Sequence, residues 1–403
     1  MHRNAEGVVE GLAQESGGKM VLLVGDGLGG MPHPETGKTE LETARTPNLD
    51  AIAAESVTGL HIPIAPGITP GSGPAHLALF GYDPVRYEIG RGVLEALGID
   101  FDLRDGDVAV RMNFATVDPE GRIVDRRAGR VPTEKCVELA QRLSSIRLPG
   151  TEIFVRPVRE HRAVLVLRRG GLVGGLNDTD PQRTGVPPLP FVPEDKAQEE
   201  TAEVLSAFLG AARELLKDEP AANALTMRGI ASLSKPPSFT ARFKVRAAVI
   251  AGYPMYRGVA GLVGMTVLPQ AEDTADLLRL LRESYDDFDF LFVHFKKTDS
   301  TGEDGDFDAK VAATEAFDEV AGEVAGIGPD VLAVTGDHST PSAMASHSWH
   351  PVPLAIRASN ARRDKVKAFG ESSMSCGGLG FVRATDILPL MLAHAGRLAK
   401  FGA

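Results

Sequence analysis

Three short runs of apolar residues, each followed by an aspartate, constrain the fold of this chain more than any other feature. The runs and their aspartates are Met20 to Val24 with Asp26, Phe288 to Phe295 with Asp299, and Val331 to Thr335 with Asp337. Continuous apolar runs of this length are typical of buried strands in a parallel sheet, and such sheets bind ligands at their carboxyl edge. We therefore expect the three aspartates to converge there.

Helical patterns lie between these runs. Thr46 is suited to cap a helix that begins with Pro47, because proline is favoured in the first helical turn. Residues Thr274 to Glu283 have the apolar spacing of an amphipathic helix. This alternation predicts an α/β fold in which a mainly parallel sheet is flanked by helices.

The middle of the chain has a different pattern, in which strand-like runs surround one helix and a second, long helix follows a proline-rich stretch. The strand-like runs are Val108 to Phe114, Ile153 to Arg156 and Ala163 to Leu167, and the helical patterns are Thr133 to Leu143 and Glu194 to Leu216. We expect a smaller α+β domain inserted into the first domain. The predicted domains are residues 1–105 with 256–403, and the insertion at 106–255.

The overall composition restricts the class of partner. The 403 residues are 43% hydrophobic and 24% charged, which is enough for a full core. A net charge of −11 disfavours nucleic acids and acidic membranes as partners, because both select basic surfaces. The two cysteines are too few for a disulfide framework, and residues 1–18 lack the apolar core of a signal peptide. We expect a cytoplasmic monomer or small homo-oligomer.

Ser72 lies in the segment Thr69-Pro70-Gly71-Ser72-Gly73-Pro74-Ala75-His76-Leu77. A serine between glycines and just before a proline predicts a helix N-terminus. Free backbone N–H groups and the positive end of the helix dipole favour a phosphate there, so Ser72 is a candidate phosphoryl-accepting nucleophile. The plain alternative is a serine that only caps its helix. His76 is four residues further on and lies on the same helical face.

Two further clusters combine carboxylates with histidines. One begins at Asp337-His338 and continues with His347 and His350, and the other is the acidic stretch from Asp299 to Asp306, which contains Glu303. Oxygen and imidazole ligands at strand ends suit Mn²⁺, Zn²⁺ or a related divalent ion. Each cluster alone has a simpler explanation, because loop acids form solvated turns and histidines cap helices. Their position at one predicted sheet edge favours a metal site.

The segment from Asp125 to Arg130 contains three arginines among its six residues, although the protein as a whole is acidic. A guanidinium group binds carboxylate and phosphate oxygens through two parallel hydrogen bonds, so this segment is a candidate clamp for a small, doubly anionic substrate. An exposed turn is the alternative. Three residues near the other motifs join this segment as candidates: Arg257, Lys297 just before Asp299, and His76 after Ser72. The candidate substrate-binding residues are therefore Asp125, Arg126, Arg127, Arg130, Arg257, Lys297 and His76.

Taken together, these residues resemble the archaeal-type cofactor-independent phosphoglycerate mutases of the alkaline phosphatase superfamily. The matching segments, which extend over nearly the whole chain, are Val24 to Gly27, Pro70 to His76, Asp125 to Arg130, Asp178 to Pro181, Tyr253 to Gly258, Asp337 to Pro341 and Lys400 to Ala403. The resemblance implies an alkaline-phosphatase-like domain with the nucleophile and an inserted domain that grips glycerate. It also implies interconversion of 3-phosphoglycerate and 2-phosphoglycerate through a phosphoserine at Ser72.

The resemblance further implies two divalent metal ions and no bisphosphoglycerate. The ligands carried over by motif are Asp26, Ser72, Asp337 and His338 for one ion, and Asp299 and His347 for the other. We expect Mn²⁺, with Mg²⁺, Co²⁺ and Zn²⁺ as alternatives. The chain departs from the family at Glu303, where the pattern Asp-x-x-x-His would place a histidine. Glu303 still offers an oxygen and stays a candidate ligand.

Two other functions fit parts of this pattern. One is another phosphotransfer enzyme on the same scaffold, either a phosphatase or a relative of homoserine kinase, because a fold does not determine a reaction. Net release of phosphate, or dependence on a nucleotide, would distinguish that enzyme. The other is a protein that binds a metal or an anion without catalysis, which would leave the nucleophile unexplained.

The arginine segment generates the first testable prediction. Arg127→Ala or Arg130→Ala should lower kcat/KM by the equivalent of about 2–4 kcal/mol, because each would remove one partner of a desolvated charged pair with the substrate. Steady-state kinetics of both variants with 3-phosphoglycerate measures this loss. Wild-type kinetics in both variants would show that the segment is a solvated turn.

Overall fold

The structure is a computed structural model that describes residues 5–233 and 235–402. The first four residues of the N-terminal stretch, and Ala403 at the end of the last family motif, lie outside the described residues. The strands are β1 Met20–Gly25, β2 Val57–Ile62, β3 Val108–Val117, β4 Ile123–Asp125, β5 Glu152–Arg159, β6 Arg162–Arg168, β7 Ala224–Ser232, β8 Ala247–Ile250, β9 Thr266–Val267, β10 Phe290–Phe295, β11 Val331–Thr335, β12 Val352–Ala358 and β13 Gly380–Arg383.

The helices alternate with these strands over most of the chain. They are α1 Ala5–Leu12, α2 Glu40–Thr43, α3 Pro47–Ala54, α4 Ser72–Leu79, α5 Arg91–Leu97, α6 Thr133–Leu143, α7 Lys196–Leu216, α8 Phe239–Phe243, α9 Pro254–Leu262, α10 Thr274–Ser284, α11 Lys297–Glu303, α12 Phe307–Ile327, α13 Glu371–Met374 and α14 Ala384–His394, with short 3₁₀ turns at Ala128–Arg130 and Ser342–Met344. Within the described part of the chain, no helix combines the length and the apolar character that a membrane crossing requires.

The chain divides into two compact units, of which the first runs to Glu88 and resumes at Pro236. Its eight-stranded sheet has the order β13-β2-β12-β11-β1-β10-β8-β9. Strand β1 is buried along its whole length and pairs in parallel with both β10 and β11. The three apolar runs of the sequence are therefore adjacent parallel strands, and the predicted α/β class with a mainly parallel sheet is confirmed. Only β12 runs antiparallel to its neighbours β11 and β2.

Capped helices cover the core of this first unit. Helix α10 begins after Asp273, whose side chain accepts a hydrogen bond from Asp276 N, and α12 begins after Asp306, which accepts from Ala309 N in the same way. The apolar faces of both helices pack on the central strands. Helix α12 ends at Ile327 and is followed by Gly328, where φ is +79°, a left-handed conformation that glycine adopts without strain.

The second unit runs from Ile89 to Lys235 and has its own sheet and core. Strand β3 lies between β6 and β7, while β5 pairs with β6 and β4 with the end of β3. Helices α6 and α7 contribute to a core whose members include Val110, Leu139, Leu205 and Phe208. Helix α6 begins and ends at the residues that the sequence predicts.

The edges of this unit differ from the predicted edges at residues 106 and 255. Helix α5 packs on β3 so closely that a Cβ on Gly92 would lie 2.2 Å from the carbonyl oxygen of Ala109, which joins α5 to the second unit. Strand β8 pairs with β10, which joins residues 247–250 to the first sheet. The assignment of substrate gripping to the middle of the chain stays a prediction.

The central position of β1 generates a prediction about stability. Val21→Ala should lower the free energy of unfolding by about 2 kcal/mol or more, because it removes two buried carbons at about 0.8 kcal/mol each and leaves a cavity. Val267 lies in edge strand β9 and is 39% exposed, so the matched change Val267→Ala should stay within about 0.5 kcal/mol. Denaturant unfolding of both variants decides this. Equal losses would contradict the central role of β1.

Candidate active site

The carboxyl edge of the first unit's sheet collects the three aspartates of the opening pattern. Asp26 follows β1, Asp337 follows β11, and Asp299 lies in the first turn of α11, which follows β10. All three are at most 1% exposed. The Lys296 ammonium group contacts both Asp26 and Asp299, and Asp337 shares a group of potential metal ligands with Asp26, so the predicted convergence is confirmed.

Asp26, Asp337 and His338 form one group of potential metal ligands. His338 Nε2 lies 3.4 Å from Asp26 Oδ1 and 3.1 Å from Asp337 Oδ2. Among the described residues, neither of these two buried oxygens has a hydrogen-bond partner. The other oxygen of Asp337 accepts a hydrogen bond from Gly27 N at 3.0 Å. Each carboxylate therefore has one oxygen that faces His338, while its other oxygen is held by Gly27 N in Asp337 and by Tyr256 in Asp26.

The electrostatics of this group are those of an anionic pocket. Burial and Asp337 raise the pKa of Asp26, but the contacts with His294 and Lys296 hold it below its usual value. Burial lowers the pKa of His338, yet the charge of Asp337 raises it to about 9. The pocket thus stabilises positive charge strongly, as a cation-binding site requires.

Ser72 is the first residue of α4 and faces this group. The residue before the helix is Gly71, and within the described chain no side chain caps this helix end. Ser72 is therefore not a capping serine, and Pro74 occupies the third helical position instead of the predicted first. The Oγ atom of Ser72 lies 3.3 Å from His338 Nε2. The helix start that the sequence predicts thus brings a hydroxyl group to His338, the histidine of this ligand group.

A second group of potential metal ligands comprises Asp299, His338 and His347. The two imidazole rings stack with centroids 3.7 Å apart. Thr340 Oγ1 donates to Asp299 Oδ1 at 2.7 Å, so it accepts the hydrogen bond from His338 Nδ1 at 3.0 Å. His347 Nδ1 donates to the carbonyl oxygen of Pro70 at 3.0 Å. Both histidines are anchored through Nδ1, which directs Nε2 toward the carboxylates.

Glu303 lies beside this second group without belonging to it. Its Oε1 is 3.6 Å from His347 Nε2, and its side chain is 53% exposed. Asp306, a neighbouring acid, caps α12 and is occupied in that way. His350, from the same sequence cluster as His347, contacts Ser348 Oγ at 2.9 Å. Glu303 therefore joins Asp299 as an acid of this stretch that lies near His347.

A layer of buried rings lies behind the carboxylates. His76 is fully buried, its Nδ1 is 3.4 Å from Asp337 Oδ2, and its ring stacks on Tyr256. Burial lowers the pKa of His76 to about 4, so the ring is neutral. Tyr256 donates to Asp26 Oδ2 at 2.6 Å, and His294 Nε2 is 3.3 Å from the same oxygen. A substrate-binding role for His76 conflicts with its complete burial, which suits a positioning role.

The cations near Asp299 differ from the sequence prediction. Lys297 is exposed, whereas the neighbouring Lys296 reaches Asp26 Oδ2 at 2.9 Å. Arg257, another predicted substrate-binding residue, is half-buried and donates to the carbonyl oxygen of Leu268 at 2.7 Å. The lysine that the structure brings to the carboxylates is therefore Lys296.

The arginine segment lies in the second unit. Arg126 binds Asp180 through two parallel hydrogen bonds of 2.9 and 2.8 Å. Asp125 accepts hydrogen bonds from the backbone N–H groups of Arg127 and Gly129, so it shapes the turn. The side chains of Arg127 and Arg130 are exposed. Those two arginines remain accessible for an anionic ligand.

Comparison with known proteins assigns the chain to a family. The family model of 2,3-bisphosphoglycerate-independent phosphoglycerate mutase matches residues 53–222. A probable 2,3-bisphosphoglycerate-independent phosphoglycerate mutase of Thermus thermophilus is 49% identical over 98% of this chain and 99% of its own length. The chain belongs to this mutase family. A relative of the same description from Aquifex aeolicus is 46% identical over 98% of this chain and 100% of its own.

Solved structures support the mutase assignment. The cofactor-independent phosphoglycerate mutase of Thermoplasma acidophilum is 32% identical with a TM-score of 0.74, covering 94% of this chain and 100% of that chain. A protein structure from Pyrococcus horikoshii is also 32% identical, with a TM-score of 0.82 over 96% of this chain and 100% of that chain. The predicted α/β fold and phosphoglycerate mutase family are confirmed, and these relatives favour the mutase over a phosphatase or a homoserine kinase relative.

Sequence reasoning missed several residues of the mutase site. His294 is a polar residue inside the apolar run of β10, and this interruption was the available signal. Thr340 and Tyr256 lie within family segments but were given no role. Position 27 requires a glycine, because its φ of +61° is left-handed and a Cβ there would lie 2.4 Å from Thr340 Oγ1. These residues hold the carboxylates and histidines in place.

The position of Glu303 generates a prediction about metal preference. Glu303→Ala should weaken Mn²⁺ affinity about 10–100-fold, because the carboxylate orients His347 from outside the ligand group. Glu303→His should shift the preference toward Zn²⁺ or Co²⁺, since imidazole is a softer donor. Titration of activity with each ion measures both effects, with Glu319→Ala on exposed α12 surface as the control. An unchanged metal profile in both Glu303 variants would contradict any contact of Glu303 with the metal chemistry.

Proposed function

We propose that this chain interconverts 3-phosphoglycerate and 2-phosphoglycerate, with Ser72 as the nucleophile that carries the phosphoryl group between two half-reactions. The observation that carries the proposal is the position of the Ser72 hydroxyl. It lies at the start of α4 and 3.3 Å from His338 Nε2, a nitrogen that is itself 3.4 Å from Asp26 Oδ1 and 3.1 Å from Asp337 Oδ2. A hydroxyl group, an anion-binding helix end and a cation-binding pocket at one point are the parts that phosphoryl transfer requires.

The donor set fits divalent metal ions. Asp26 Oδ1 and Asp337 Oδ2 are buried oxygens without a hydrogen-bond partner among the described residues, and they share a pocket with an imidazole nitrogen. Asp26, Asp337, His338 and Ser72 would hold one ion, and Asp299 and His347 the other. When bound, the ions would supply positive charge that lowers the pKa of the Ser72 hydroxyl and offsets charge on the transferring phosphoryl group. Mn²⁺ remains our first expectation.

The start of α4 would bind the phosphoryl group. The first hydrogen bond of this helix runs from Ala75 N to the carbonyl oxygen of Gly71. The N–H groups of Ser72 and Gly73 precede it and point out of the helix end, where the dipole favours an anion. This arrangement stabilises a phosphate on the Ser72 oxygen by the protein's own backbone.

The chemistry then consists of two displacements at phosphorus. In the first, Ser72 Oγ attacks the phosphorus of 3-phosphoglycerate and gives up its proton. The bond between phosphorus and the 3-oxygen breaks and the 3-oxygen takes up a proton, which leaves glycerate and phosphoserine. In the second, the 2-hydroxyl of glycerate attacks the phosphorus of phosphoserine and gives up its proton, the bond between phosphorus and Oγ breaks, and Oγ takes up a proton, which leaves 2-phosphoglycerate and free Ser72. Glycerate must stay bound between the two steps, because water would otherwise take the phosphoryl group.

Two sets of cations would assist the substrate. Lys296 contacts Asp26 and Asp299. Burial lowers the pKa of Lys296, but the two carboxylates raise it by more than burial lowers it, so the ammonium group stays charged beside the transferring group. We propose that Arg127 and Arg130, whose side chains are exposed, bind the carboxylate or phosphate of the substrate. Arg126 is bound to Asp180 and would stabilise the segment that presents them.

Ser72→Ala tests this proposal. The variant should lose mutase turnover while keeping its fold, because the change removes the acceptor oxygen and no core volume. Phosphopeptide analysis of quenched wild-type enzyme should find phosphate on Ser72. Ser206→Ala, on the exposed face of α7, is the matched control and should keep full activity. Activity in Ser72→Ala, or phosphate on another residue, would contradict the covalent mechanism.

A further inference from the structure

Tyr256 makes the shortest contact with the Asp26 carboxylate. It lies in the first turn of α9 and is 1% exposed. Its hydroxyl oxygen is 2.6 Å from Asp26 Oδ2. Lys296 Nζ donates to the same hydroxyl oxygen at 3.2 Å. Because an ammonium group has no acceptor, the hydroxyl proton of Tyr256 is directed to Asp26.

The two oxygens of Asp26 have separate surroundings as a result. Oδ2 contacts Tyr256, Lys296 at 2.9 Å and His294 at 3.3 Å. Oδ1 is buried, has no hydrogen-bond partner within residues 5–233 and 235–402, and lies 3.4 Å from His338 Nε2. The carboxylate torsion of an aspartate has a broad energy profile, so donors on Oδ2 determine where Oδ1 points.

The ring of Tyr256 is itself fixed by the helix that carries the nucleophile. It stacks on His76 with centroids 4.3 Å apart and an interplanar angle of 13°. His76 Nδ1 donates to the carbonyl oxygen of Ser72 at 2.8 Å. One stacked pair thus links the orientation of Asp26 to the first turn of α4.

We infer that Tyr256 is a positioning residue, whose hydroxyl group holds Oδ2 of Asp26 so that Oδ1 faces His338 and Ser72 as a metal-binding oxygen. The inference rests on the proposed function, in which Asp26 holds a divalent ion. Lys296 shares its donors between Asp26 and Asp299, whereas the single proton of the Tyr256 hydroxyl group is given to Asp26 alone. The tyrosine binds neither substrate nor metal in this account.

Binding of Mn²⁺ alone to chelator-stripped protein tests the inference without relying on activity. Tyr256→Phe keeps the stacked ring and removes only the hydroxyl group. It should weaken one of two Mn²⁺ binding events about 10–100-fold in isothermal titration calorimetry, the usual effect of losing a group that orients a ligand. The Mn²⁺ concentration for half-maximal activity should rise in parallel, while kcat at saturating Mn²⁺ recovers.

The matched control is Tyr82→Phe. Tyr82 is also fully buried, and its hydroxyl group donates to the carbonyl oxygen of Pro237 at 2.7 Å. This variant should lose thermal stability but keep wild-type Mn²⁺ affinity. Unchanged affinity in Tyr256→Phe, or an equal loss in both variants, would overturn the inference and leave the proposed function standing. Wild-type protein that binds no Mn²⁺ would overturn both.

Discussion

The burial of three carboxylates at one sheet edge is the constraint on which the rest of the first unit depends. A buried charge is costly unless it is paired and hydrogen-bonded, so each carboxylate requires its own partners. Lys296 pairs with Asp26 and Asp299, while Gly27 N and His338 pair with Asp337. These contacts are all contributed by the loops and helix starts that follow β1, β10 and β11. The sheet positions the aspartates, and their pairing determines the local structure after each strand.

A fully buried lysine holds two of these loops together. Lys310 on α12 donates to the carbonyl oxygens of Gly27 and Gly29 at 2.9 Å each and of Thr340 at 2.6 Å. Burial lowers the pKa of Lys310 to about 8, and the nearby charge of Glu40 opposes that shift. The loop after β1 is thereby tied to the loop after β11. Such fixed geometry lets a site stabilise developing charge without rearranging during the reaction.

The sequence predicted the strands and their aspartates because apolar runs identify buried strands and parallel pairing brings their ends to one edge. It pointed to Lys297 and not to Lys296, because adjacent residues at a helix start point in different directions and only the start of α11 decides which one faces Asp26. Likewise, Tyr253 is 46% exposed and Tyr256 is 1% exposed, a difference that depends on how α9 packs. The pairing of polar side chains depends on tertiary contacts that no local pattern encodes.

The central claim is that the carboxylate pocket and Ser72 transfer a phosphoryl group without releasing it. The ³¹P spectrum of 3-phosphoglycerate incubated with the protein and Mn²⁺ tests this claim most directly. The signal of 2-phosphoglycerate should appear without inorganic phosphate, and a chelator should stop the conversion. Accumulation of inorganic phosphate in place of 2-phosphoglycerate would contradict it.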